Sequence, residues 1–377
     1  MTIHPPRFVF LFASCGLAAI TVNSCDKSPE PAPHPRNAQS SKSPITAPTP
    51  NLDALASVSR EVPGNWSLLA MNLYPLPAGL EFSSDAAPDE KPKLIAFLEG
   101  VQPTVHRAIE ATKLNLEPFP PLPEPCDGDP EAVLRHPKSV MQSLARLLLA
   151  DASRCVDAGD PNGALVRIRA AMRLASALAE HPALLIRLTG ATILVQSGTK
   201  LGTIVDAAGG AGISSTAAAE LRAELARFNN DDPAGLVSAW EREARRSVIE
   251  CRDTYAVRGG PKKYAEYIRS SEPGLSEILS SMGGLAIDSG FADRAAALKP
   301  ADINAALDRV EATIADIATA MRVGDRATLS GALEAAREDP TKIARLVVGG
   351  APPVADSFRR ARDAIQTARA AAERLAR

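Results

Sequence analysis

Apolar residues in this chain recur three and four positions apart, and nowhere does an alternating run last long enough to make a convincing strand. Val140, Leu144, Leu147, Leu148, Ala152, Cys155 and Val156 form one such stripe, with Gln142, Arg146, in part Asp151, and Arg154 on the opposite face. Gly159-Asp160-Pro161 then supplies a stop, an N-cap and a first helical residue in three successive positions. Leu165, Ile168, Met172, Ala175 and Leu178 continue on the next helix, which His181-Pro182 ends. Aromatic residues make up only 4% of the chain, so the core is built from Ala, Leu, Val and Ile. That composition favours close-packed helices over sandwiches, barrels and propellers. The fold class read from this pattern is all-α: an irregular array or bundle of antiparallel helical hairpins, a single domain over 51–377, with no significant sheet.

The same reasoning places the other helices. Leu94, Phe97, Leu98, Val101, Val105 and Ile109 keep helical spacing, and Pro103 divides them into two helices. Residues 117–130 hold six prolines and read as an irregular connection, with the next helix starting near Pro137. The helix carrying Leu184, Leu188, Ile193 and Leu194 contains Gly190, Gly198 and Gly202, which predicts close backbone approach to a neighbour. Ser214-Ser215 opens a further helix, and Asp231-Asp232-Pro233 repeats the cap-then-proline device before a long one. Arg258 to Leu298 reads as short helices and loops. Ile303 to Met321 marks a long helix ended near Gly324, and a last one runs from about Pro353 to Arg377.

The first 25 residues belong to a different regime. Arg7 precedes a run of apolar and small residues over Phe8–Val22, shorter than the roughly 20 residues that span a bilayer. Val22-Asn23-Ser24-Cys25 follows and resembles a bacterial lipobox, with Asn23 the departure from its pattern. The resemblance implies a signal peptide over 1–24, cleavage before Cys25 and lipid on that residue; ordinary secretion and an uncleaved anchor are the alternatives. Residues 26–50 contain seven prolines and almost nothing large and apolar. Such a stretch forms no core, and extended at about 3.1 Å per residue it reaches about 75 Å. Lipidated Cys25 with the tether over 25–50, then a helical body over 51–377, is a coherent order. It predicts an extracytoplasmic lipoprotein held at a membrane, inner or outer being unresolved.

Chemistry-bearing residues are sparse. Cys126, Cys155 and Cys251 allow one disulfide with a spare, or buried free thiols. The five histidines show no ligand spacing, and no Cys-x-x-Cys occurs, so no metal site is predicted. Cys126-Asp127-Gly128-Asp129-Pro130-Glu131 alternates carboxylates but lacks the later bidentate Glu of a calcium loop. No phosphate loop, dinucleotide fingerprint, His-Glu-x-x-His or nucleophile elbow is present, which leaves no catalytic residue or cofactor to name. The formal net charge of −2, from 42 Lys and Arg against 44 Asp and Glu, gives no electrostatic footprint for nucleic acid. The stretch from Trp240 to Arg252 mixes charge with an apolar stripe, and Trp240, Glu243, Arg246 and Glu250 are its candidate binding face.

Two resemblances follow from these residues. Leu144-Ala145-Arg146-Leu147-Leu148, Gly159-Asp160, Ala164-Leu165, Ala171, Leu174-Ala175 and Pro182 resemble one tetratricopeptide-type helical hairpin. More broadly, Leu98-Glu99 with Gln102-Pro103, His136-Pro137, Arg173-Leu174-Ala175, Leu184-Leu185-Ile186 and Trp240-Glu241-Arg242-Glu243-Ala244-Arg245-Arg246 are similar to Ala/Leu/Arg-rich helical proteins of planctomycete-type bacteria. That resemblance implies an all-helical extracytoplasmic body and brings no activity with it. The function expected is non-enzymatic binding or scaffolding of a protein or peptide partner. A structural envelope protein, or an enzyme with a site between helices, is the alternative.

Overall fold

The computed structural model describes residues 91–113, 130–181, 183–208, 212–269 and 290–375. The expected signal and tether, with Cys25, and Cys126 lie outside the described residues. Within them the fold is all-α, without strands. In chain order the helices are α1 (Lys91–Gly100), α2 (Gln102–Ala111), α3 (Pro130–Asp157), α4 (Pro161–Glu180), α5 (Leu184–Ala208) and α6 (Ser215–Ala226). Then come α7 (Leu236–Tyr255), α8 (Phe291–Ala296), α9 (Pro300–Val323), α10 (Arg326–Glu338), α11 (Ile343–Val348) and α12 (Ala351–Arg374). Residues 260–269 are helical as well. No described helix is long and apolar enough to cross a membrane.

The turn between α3 and α4 shows how local sequence sets the hairpin. Gly159 takes the left-handed φ of 74°, and the Asp160 carboxylate accepts a hydrogen bond from Gly163 N at 2.8 Å. Pro161 then sits in the first turn, where its missing N–H costs nothing. The chain folds back so that α4 packs against α3, and α5 against α4. α5 is the central helix, touching α3, α4, α7 and α12. Its glycines explain two of those contacts. A Cβ on Gly190 would lie 2.9 Å from Ala175 O, and one on Gly198 would lie 2.7 Å from Ala364 O. Gly202 faces open space, so the expectation of close approach fails at that one position.

Two helix starts differ from the sequence reading. α3 begins at Pro130, not near Pro137, so His136 lies inside a helix and not at its boundary. A proline within a helix removes one backbone donor, and this 28-residue helix, packed on both α4 and α5, tolerates that loss. α7 begins at Leu236, after Pro233, because Gly235 at φ 62° inserts a turn. Asp232 still serves as the cap from that turn, accepting from Ser238 N at 3.0 Å and Ser238 Oγ at 2.9 Å.

The second half is held by a different core. α7 packs on α9, and Trp240, Tyr255 and Tyr264 are fully buried there. Tyr264 stands edge-on to Phe291 at 6.4 Å, and its ring centroid lies 5.1 Å from that of Tyr255. α12 closes the bundle by lying along α5 and touching α6 and α7. Arg369 of α12 donates to Leu225 O and Phe228 O at 3.1 and 2.8 Å, which caps the carbonyl end of α6.

Candidate functional site

Positions 169, 173, 177 and 180 of α4 are spaced by three or four residues, so Arg169, Arg173, Ala177 and Glu180 share one face. Glu220, Ala223, Glu224 and Arg227 do the same on α6 and at its C-terminal end. These two faces line an open cleft of about 860 Å³, to which Thr112 and Lys113 contribute at the end of α2. The lining carries four cationic side chains and three carboxylates, with only small apolar groups between them.

The charges are partly matched inside the cleft. Glu224 is buried, and both of its oxygens are used: Arg173 Nε donates at 2.7 Å and Arg227 Nη1 at 3.2 Å. Glu224 therefore locks α6 to α4. Arg169 is also buried, at 9% exposure, and its Nη1 is paired with the Glu220 carboxylate. Glu220 itself is half exposed, with 53% of its side chain open to solvent. The Arg169 Nε–H is covered and has no acceptor at all. A buried guanidinium with one donor unmet, held by a carboxylate half in water, is an unusual arrangement. Arg169 was not singled out by sequence, because its position in the helix repeat is that of an ordinary charged residue.

Outside the cleft, Asp151 and Glu243 are carboxylates withdrawn from water and paired in different ways. Asp151, expected in part on the polar face of its helix, is instead fully buried on α3, where Arg154 and Arg167 pair with it. Its Oδ1 accepts from Gln102 Nε2 at 2.7 Å and Arg154 Nε at 2.6 Å, and its Oδ2 accepts from Arg167 Nε. Arg167 Nη2 returns to Gln102 Oε1 at 3.2 Å, so the network ties α2, α3 and α4 together. Burial pushes the Asp151 carboxyl up, but the hydrogen bonds and charges of Arg154 and Arg167 outweigh it and hold the group below its ordinary range.

Glu243 of α7 has a different environment. Its Oε1 accepts from Leu184 N, the first residue of α5, at 2.8 Å, while its Oε2 is buried without a partner. Burial raises this carboxyl to about 7, against the opposing pull of that N–H and of Arg242, Arg246 and Arg187. His181, buried just before the same helix, is depressed to about 4 by burial and by the Arg187 charge. Arg187 donates to His181 O and, at 2.9 Å, to Gly235 O. The cluster stitches the α4–α5 turn to the start of α7.

The four residues of the candidate binding face do not share a surface. Trp240 is fully buried in the core and Glu243 turns inward to cap α5. Arg246 and Glu250 point outward and pair with each other at 2.8 Å. Their spacing placed all four near the apolar stripe, but the stripe faces α9 and α12, not a groove. Cys155 and Cys251 are buried free thiols, and burial raises Cys251 to about 12. His106 is exposed on α2. Among the described residues no group of three or more His, Cys, Asp or Glu is arranged to hold a metal. Comparison with protein-family models, with curated proteins and with solved structures finds no match for this chain.

Proposed function

We propose that this chain is a lipid-anchored binding module of a bacterial envelope. In this reading Cys25 carries the lipid, residues 26–50 are the spacer, and the helical body engages a protein or peptide partner. The observation that carries the binding half of the reading is the open charged cleft between α4 and α6, with its buried and partly unmet Arg169. The support for anchoring is the lipobox-like Val22-Asn23-Ser24-Cys25 and the proline-rich stretch behind it.

The test is metabolic labelling with a clickable fatty acid, followed by affinity capture from mildly solubilised membranes. Wild type is expected to take label and to enrich a partner. Cys25→Ala is expected to lose the label and to keep the partner once membranes are solubilised. Arg169→Gln is expected to keep the label and lose the partner. An unlabelled wild-type chain contradicts the anchor, and capture indifferent to Arg169→Gln contradicts the cleft.

A further inference from the structure

The turn between α7 and the helix over 260–269 carries cations without carboxylate partners. Arg258, Lys262 and Lys263 are exposed and make no ion pair among the described residues. Their neighbours on either side are matched: Arg252 pairs with Asp308 and Glu311, and Arg269 with Asp293. Lys262 and Lys263 also stand in the first turn of their helix, where the backbone dipole disfavours cations. Glu266, one turn further on, is the only carboxylate of that helix. Beside this charge Val257 is 43% exposed, an apolar side chain left in water. The turn itself is firmly built. Its flanks are pinned by Tyr255 and Tyr264, buried rings with centroids 5.1 Å apart. Gly260 N donates to Val257 O at 2.8 Å, and a Cβ on Gly260 would collide with the Tyr255 carbonyl, so glycine is what lets the chain fold back here. A backbone already held this way loses little freedom on making a contact.

From this we infer that the turn over 257–263 is a second contact with the membrane, in which Val257 enters the interfacial layer while Arg258, Lys262 and Lys263 meet anionic lipid headgroups. The inference rests on the anchored reading above and names the face that the body turns to the bilayer. A body of this size is roughly 50 Å across, less than the about 75 Å that the tether reaches, so the tether alone selects no face. Surface chemistry selects it, and tethering raises the local concentration of the turn at the bilayer enough for a weak contact to fill. An acidic protein suits the feature less, because one turn offers far less than the roughly 800 Å² per partner of a stable interface. A fluid lipid surface needs only a few cations around an apolar side chain.

The experiment reconstitutes the full chain, with a fluorescent amino acid at position 257, into vesicles of phosphatidylcholine alone or mixed with phosphatidylglycerol. A quencher-bearing lipid reads whether the probe reaches the bilayer. Quenching in the anionic vesicles is expected to exceed that in the neutral ones several-fold, and to fade at high salt, where the Debye length shrinks to a few Å. Lys262→Glu combined with Lys263→Glu should abolish the excess. Glu266→Gln should strengthen it by up to about fivefold, the worth of one charge near an anionic surface. Both variants change exposed residues, so the melting temperature should hold, and it checks that the fold is intact. Equal quenching in the two vesicle types, none in either, or quenching indifferent to the lysine variant overturns the inference. Binding of soluble polyphosphate at the turn without quenching on anionic vesicles also overturns it. Flotation with neutral vesicles reads the anchor separately. A chain that floats but shows no quenching sinks the turn alone. One that fails to float sinks the anchor, while salt-sensitive quenching on anionic vesicles still upholds the turn.

Discussion

Asp151 and Glu243 are both carboxylates taken out of water, and the protein treats them in opposite ways. Asp151 meets two guanidiniums and an amide, and its carboxyl is held low. Glu243 meets one backbone N–H, keeps an orphaned oxygen, and is raised to about 7. Burial is common to the two and therefore does not decide their charge; the number and sign of the donors does. Asp151 is a permanent ionic tie between α2, α3 and α4. Glu243 is a cap that is protonated below pH 7 and ionises as pH rises through it.

The sharpest way to break this comparison is to empty the Asp151 site. Asp151→Ala leaves buried Arg167 without its partner, and a loss of about 3–5 kcal/mol is expected in urea unfolding. A loss under about 1 kcal/mol would mean that the network is not the tie described. Next in size is pH dependence at the start of α5. Glu243, raised from 4.5 to about 7, binds more protons when folded, so its stabilisation is present below pH 4.5 and is lost as pH rises through 7. His181, lowered from 6.5 to about 4, has the opposite sign: its stabilisation is present above pH 6.5 and is lost as pH falls through 4. Each swing is on the order of 3 kcal/mol, and over their shared window they offset each other. Wild type is expected to show a shallow profile from pH 4.5 to 6.5. Glu243→Gln keeps an acceptor for Leu184 N and should expose a profile that rises with pH across that window. An unchanged profile in the variant would show that Glu243 is ionised like Asp151.

Gly198→Ala tests packing, the part of the account that is independent of charge. Its Cβ would press on Ala364 O at 2.7 Å, and a loss of about 1–3 kcal/mol is expected because backbone is slow to yield. Gly202→Ala, with nothing near its Cβ, should be neutral or slightly stabilising. The smallest effect belongs to Arg246→Ala, whose exposed pair with Glu250 should matter by less than about 0.5 kcal/mol.

Much of the fold could be read from the chain because helix signals are local. The stripe from Leu144 to Cys155, the Gly159-Asp160-Pro161 turn and the stop at Gly324 depend on neighbours within a turn or two. α10 went unread, although Gly324-Asp325 repeats the stop-and-cap of Gly159-Asp160 and Asp325 accepts from Thr328 N at 3.1 Å. The site was far less legible. Trp240, Glu243, Arg246 and Glu250 look alike on a helical projection, and only the placement of α5 and α9 separates the inward pair from the outward one. The Arg169 mismatch depends on Glu220, fifty-one residues away on another helix, and no spacing rule reaches that far.

The most direct test of the cleft is photo-crosslinking in intact cells. A benzophenone-bearing residue replaces Ala223, which is exposed on the α6 wall of the cleft, and in a second strain replaces Ile249, which is exposed on α7. A discrete adduct is expected from position 223, suppressed by Arg169→Gln, and none from position 249. An adduct from position 249 alone, or one from position 223 indifferent to Arg169→Gln, would contradict it.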